Sequence, residues 1–337
     1  MRSGLKAAGQ LLSHPRFEVI PTDSIEDEVV EWVPREVTLT VTASPNKGLD
    51  ATIGLAERLS KHGYRVVPHV SARLVVDEAH LEEIVARLGA CGIDDIFVPA
   101  GDADPPAGCF ESALSLLVQL DSLGRPFSRM GITGYPESHP SIDDDITVQA
   151  MWDKRHYATY IVSNLCFDAA TLRRWIKRVR ARGVTLPLYF GLAGPVERTK
   201  LLAMASKIGV GESARFLSGH AGWFLRMGAP GGYSPSRLLE RTGVALADPA
   251  SIVEGVHLFT FNQVRQTEEW RQSILAALDA GVPTGRPARS PATPAPPAPP
   301  APPAPPAPPD PPPPPDPPPA PPAPPPVAKP AAPDLDR

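Results

Sequence analysis

Residues 35–44 read REVTLTVTAS and alternate strictly: Val37, Leu39 and Val41 fall on one side, Thr38, Thr40 and Thr42 on the other. A period of two marks a strand, because successive side chains leave a pleated backbone on opposite faces. Working outward, a 3.6-period run at about 49–62 stops at Gly63, and YRVVPHVSA (64–72) reads as the next strand. HLEEIVARLGACG then places Leu81, Ile84, Val85 and Leu88 at helical spacing and ends at Gly92. Glycine just past a helix is the usual C-terminal stop.

The same beat runs along the chain. Upstream, RFEVIP (16–21) is a strand-like run with a carboxylate in its middle. Downstream come strands at 94–102, 129–137, 159–168, 186–194 and 254–262, with helices expected near 110–123, 145–157, 196–208 and 264–279. Asp168 reads as the N-cap of a helix closed by Gly183, whose apolar face is Leu172, Trp175, Ile176 and Val179 and whose other face is basic. Eight strands alternating with helices in about 260 residues predict a single-domain α/β fold, a (β/α)8 TIM barrel over residues 14–280. An open doubly wound sheet fits less well, since no glycine-rich phosphate loop follows an early strand. Residues 1–13 read as an N-terminal extension. From residue 281 to Arg337 proline and alanine take over, and such a run reads as a disordered or polyproline II tail.

The net charge of −4 with no standout basic cluster argues against nucleic acid as a partner. Cys91, Cys109 and Cys166 have neither metal-type nor disulfide-framework spacing. No run approaches a membrane span and the N-terminus lacks the apolar core of a secretory signal, so a cytoplasmic protein is expected.

Polar residues gather where the predicted strands end, the end at which such barrels carry their sites. They are Glu18, Thr42, His69, Asp102, Tyr135 with His139, Asn164 and Asn262. With the Val37, Leu39 and Val41 face on the helices, the threonines point inward. The same parity turns Glu18 inward if Phe17 and Val19 face the helices. Each has a plain alternative. Glu18 could lie at a wet edge, Asp102 could be a turn residue, His69 a hydrogen-bonded core histidine, and Tyr135 and His139 loop braces. Asp143, Asp144 and Asp145 read as a solvated loop, and no metal site is expected.

Several of these segments together resemble the methylenetetrahydrofolate reductase family, flavin-using (β/α)8 barrels of one-carbon metabolism. FEVIP is similar to that family's F-E-F-x-P, TVTASPNKG to its second-strand segment, and VVPHVSARLV to its P-H-L-T strand. PAGDADPPAG resembles R-G-D-x-P-x-G, GITGYPESHP resembles G-x-A-Y-P-E-x-H-P, and IVSNLCFD resembles I-T-Q-x-x-F-D. The resemblance implies reduction of 5,10-methylenetetrahydrofolate to 5-methyltetrahydrofolate by NADH or NADPH, with FAD as cofactor. It implies Glu18 as general acid, whose task calls for a carboxyl protonated near neutrality. Asp102 becomes a residue serving catalysis, substrate and flavin alike. Thr42, His69, Tyr135, His139 and Lys154 become cofactor-binding positions, and Asn164 stands for a substrate-binding glutamine. The family's arginine before Gly-Asp is Ala100 here, which removes positive charge from the expected pyrophosphate position and leaves direct hydride transfer from NADH open. Two other readings remain: a folate- or flavin-binding barrel without reductase activity, and an interaction protein whose PxxP tail meets a proline-recognition partner.

Overall fold

The computed structural model describes residues 9–43, 46–139, 142–195 and 234–280, all within one compact unit. The expected helix at 196–208 and the proline-rich tail lie outside the described residues.

Eight parallel strands form the sheet: β1 (Arg16–Val19), β2 (Thr38–Val41), β3 (Val66–Pro68), β4 (Asp95–Phe97), β5 (Arg129–Gly134), β6 (Tyr160–Ser163), β7 (Leu188–Ala193) and β8 (Val253–Phe259). Seven lie inside the stretches their sequence patterns mark out, and β8 begins one residue before its stretch, at Val253. The hydrogen-bonded order is β3-β2-β1-β8-β7-β6-β5-β4. A parallel bridge between His69 and Phe97 joins the two ends, with Val70 N–H donating to the Phe97 carbonyl at 2.8 Å. The protein is thus a (β/α)8 barrel whose seam lies between β3 and β4 at the C-terminal rim.

The described helices are α1 (Ile25–Trp32), α2 (Gly48–Lys61), α3 (Glu78–Ala90), α4 (Ala113–Ser122), α5 (Asp144–Lys154), α6 (Ala169–Ala181), α7 (Pro235–Leu246) and α8 (Val264–Asp279). α6 shows how sequence makes them. The Asp168 carboxylate accepts from Thr171 N–H at 2.7 Å at its start, while Leu172, Trp175, Ile176 and Val179 are buried on one face. The three acids read as a solvated loop instead open α5: Asp143 is its N-cap residue, and Asp144 and Asp145 form its first turn. Acidic groups there complement the helix dipole.

Two apolar layers follow from strand parity. Phe17, Val19, Leu39 and Val41 join the large core between strands and helices, whereas Val67, Phe97, Tyr160, Val162 and Tyr189 form a smaller cluster in the barrel interior. The N-terminal end is plugged. Arg16, the first residue of β1, donates across the barrel to Asp95 at 2.9 Å and lies over the rings of Tyr160 and Tyr189, 4.4 and 4.0 Å from their centroids. Tyr160 donates to the other Asp95 oxygen at 2.6 Å, and burial pushes its phenol pKa up so that the proton stays. Gly131 makes room for that ring, since a Cβ there would lie 2.3 Å from Tyr160 Cε2. With the floor filled by this network, the interior opens at the strand C-termini.

Candidate active site

Glu18 projects from β1 into the barrel, as parity requires. Its Oε2 lies 3.0 Å from His257 Nε2, on β8, and 3.9 Å from His69 Nε2 just beyond β3. The glutamate side chain keeps 16% of its surface exposed, while that of His257 keeps 2%. The edge-strand reading is therefore wrong: this carboxyl group lies between two imidazoles. Burial lowers the His69 pKa to about 4, against a smaller upward pull from the Glu18 charge, so His69 is neutral near pH 7. Its ring packs 4.7 Å from that of Phe97 across the seam. The main chain that closes the barrel thus also sets this imidazole beside the acid.

Asp102 stands on the loop after β4, exposed at the same rim. That loop is tied to the one after β3. Arg73 donates to the carbonyls of Ala103 (2.6 Å) and Glu111 (3.4 Å) and to Asp104 (3.4 Å), and Ser71 Oγ donates to the Ala100 carbonyl at 3.3 Å. Glycine is required at 101, where φ is +89° and a Cβ would meet Ser71 Oγ at 1.9 Å. Tyr135, just past β5, packs edge-on to His139 with ring centroids 4.9 Å apart. Burial raises the Tyr135 pKa, a hydrogen bond with Thr133 opposes this, and the Asp102 charge raises it further.

Thr42 follows β2, its N–H donating to Val19 O at 3.0 Å. Asn164 follows β6, where its N–H donates to Gly134 O at 2.7 Å and its side-chain oxygen accepts from Leu165 N–H at 2.8 Å. Its NH2 group remains the part suited to a guest. Glu137 bridges two rim loops, one oxygen accepting from Phe167 N–H (2.6 Å) and Asp168 N–H (3.0 Å). Burial, with the Glu137 charge adding to it, pushes the neighbouring Cys166 thiol up, so it stays protonated and unreactive.

Lys154 does not join this group. It is the last residue of α5, and the chain from there leads to Thr159, whose N–H bonds Met130 O at 2.8 Å near the start of β5. A crossover helix runs antiparallel to its strands, so Lys154 lies at the N-terminal end of the barrel. There burial lowers its pKa to about 8, against a weaker upward pull from Asp153. Conversely, sequence pattern alone does not mark His257. Inside EGVHLFTFN it reads as one polar residue in an apolar strand, and its meaning appears only once β8 pairs with β1.

A flavin dinucleotide needs cations or open helix N-termini for its pyrophosphate. On the β4–β6 side of the mouth the described cations are already engaged, Arg178 with Asp144 and Asp145 at the start of α5 and Arg174 with Thr171 in the first turn of α6. Ala100 has no charge, Arg73 is committed to its loops, and Lys154 is at the other end. At the helix starts there Ser112 caps α4 and Asp168 caps α6, while Asp144 and Asp145 stand in the first turn of α5. These carboxylates occupy ground that a phosphate would take. Among the described residues, this side of the mouth does not fit a tightly held FAD pyrophosphate.

Among the described residues no helix is long and apolar enough to cross a membrane, and no His/Cys/Asp/Glu cluster could hold a metal ion. Fold and mouth together define a parallel (β/α)8 barrel with a carboxyl–imidazole group at its C-terminal opening. The sequence profile described as methylenetetrahydrofolate reductase matches residues 23–210, more than half of the chain. The chain belongs to the methylenetetrahydrofolate reductase family, an oxidoreductase family.

Solved structures of similar fold include two from Burkholderia cenocepacia J2315. One, provisionally assigned as a lyase/mutase, is 15% identical with a TM-score of 0.42, over 83% of this chain and 86% of that one. The other, provisionally assigned as a phosphonomutase, is 11% identical with a TM-score of 0.43, over 83% and 96%. At that degree of overlap neither bears on the chemistry of this chain.

Proposed function

We propose that this protein reduces 5,10-methylenetetrahydrofolate to 5-methyltetrahydrofolate, with NADH or NADPH as the hydride donor. The observation that carries the reading is the Glu18 carboxyl group, 3.0 Å from His257 at the mouth of a barrel of this family.

The substrate holds its methylene carbon between N5 and N10 in a five-membered ring. Protonation of N10 by Glu18 breaks the C–N10 bond, whose electron pair stays on N10, and leaves an N5 iminium cation. Hydride from C4 of the reduced nicotinamide adds to that carbon and yields the N5-methyl group and NAD(P)+. One proton and one hydride are consumed per turnover, and Glu18, whose side chain is 16% exposed at the mouth, regains its proton from solvent. Asp102, negative and at the rim, stabilises the passing cation. Asn164 offers its NH2 to the pterin, while Thr42, His69, Tyr135 and His139 wall the space shared with the nicotinamide. A coenzyme that enters and leaves in each cycle needs no permanent pyrophosphate cradle, which accords with Ala100 and with the acids at the starts of α5 and α6.

The test is to incubate the purified full-length protein with 5,10-methylenetetrahydrofolate and each reduced coenzyme. Coenzyme oxidation and 5-methyltetrahydrofolate should appear in equal amounts, without added flavin. No oxidation of either coenzyme would overturn the reaction, and strict dependence on added FAD would overturn the direct transfer.

A further inference from the structure

The backbone that carries Glu18 is fastened by two side chains the reaction itself does not use. The ladder between β1 and β8 ends at the pairing of Glu18 with Phe259. Beyond it the chain turns away through Phe261 and Asn262, both left-handed at φ 50° and 57°, before α8 begins at Val264. A bulky residue such as Phe261 holds that conformation only where its surroundings enforce it.

The lost main-chain pairing is replaced atom for atom. Thr260 Oγ1 donates to the Glu18 carbonyl at 2.5 Å and accepts from Asn262 N–H at 3.1 Å. The Asn262 amide then acts as a short length of strand: Oδ1 accepts from Ile20 N–H at 2.8 Å, and Nδ2 donates to Ile20 O at 2.8 Å and to Thr22 Oγ1 at 3.1 Å. From Glu18 to Ile20, β1 is thereby held from the β8 side. The same strand end grips the carboxyl through His257, three residues before Thr260. Loosening the clamp would let the peptide after Glu18 rotate and swing the carboxyl off its imidazole partner.

We infer that Thr260 and Asn262 are positioning residues for proton transfer by Glu18, a role that rests on the reductase reading above. They touch neither substrate nor coenzyme in that scheme; they fix where the proton is delivered. A misplacement of a reacting group by about 1 Å is enough to cost on the order of 100-fold in rate.

The experiment compares full-length wild type with Thr260→Val, which keeps the shape and loses the hydroxyl, Thr260→Ser, which restores it, and Asn262→Asp, which keeps only the acceptor. For each, kcat, KM for methylenetetrahydrofolate, the pH dependence of kcat and Tm are measured. Thr260→Val is expected to lower kcat roughly 10- to 100-fold with KM within about threefold. It should also displace the pH profile, whose shape reports Glu18 and the His257 and His69 rings facing it, and Thr260→Ser should return both. Asn262→Asp should show the same split more mildly, and decides the matter if Thr260→Val does not fold. A lowered Tm with unchanged kcat and pH profile would reduce the pair to a structural clamp and overturn the inference alone. An inactive wild type would overturn the reaction and this role with it.

Discussion

At the scale of single residues, the site turns on three side chains that meet at the mouth, Glu18, His69 and His257. His69 and His257 approach Glu18 from β3 and β8, on either side of β1, and His69 lacks any nearer partner for Nε2. Because its folded pKa, about 4, lies below the usual histidine value near 6.5, the unfolded chain binds more protons between these pH values. Stability is therefore full above about pH 6.5 and falls as the pH drops toward 4. The loss is on the order of 2–3 kcal/mol. Urea titrations of wild type and His69→Asn at several pH values should show that acid-side fall in the wild type and a flatter dependence in the variant. An equal slope in both would remove His69 as its source. The inward direction of Glu18 was legible in the sequence because strand parity fixes the face of a polar residue inside an apolar strand. His257 was not, since its significance lies in a pairing with a residue 239 positions away.

At the scale of elements, strands were readable because alternation survives burial, and helices because glycine closes them: Gly63, Gly92, Gly124 and Gly183 all adopt positive φ just past a helix. Lys154 was misplaced for the opposite reason. Helix direction, not residue type, decides which rim a helix end occupies. Buried pairs are also invisible to pattern. On α8, Arg271 makes two 2.8 Å hydrogen bonds to Glu268 and a third, of 3.1 Å, to the carbonyl of Leu12, tying the N-terminal segment to the last helix. Arg271→Met would strand the Glu268 carboxylate in the core, at a cost of about 3–5 kcal/mol. Adding Glu268→Gln should recover much of that, which equilibrium unfolding of the single and double variants would reveal. Additive losses would mean that the pair is not coupled.

At the scale of the whole molecule, the barrel has a closed end and an open one. The Arg16, Asp95, Tyr160 and Tyr189 network fills the first, while Glu18, His69, His257 and the rim residues line the second. The architecture followed from counting strand–helix units, but this polarity of filling did not, because it depends on which inward positions from distant strands share a layer. A floor sealed by charge and aromatic rings, under a mouth lined with proton-bearing groups, assigns the chemistry to one face. The most direct measurement is the turnover of Glu18→Gln with methylenetetrahydrofolate and reduced nicotinamide, beside its Tm. Glutamine keeps the size and the contact with His257 but has no proton to deliver to N10, so a folded protein with kcat lowered at least about 100-fold is predicted. A folded Glu18→Gln protein that reduces the folate at the wild-type rate would contradict the account.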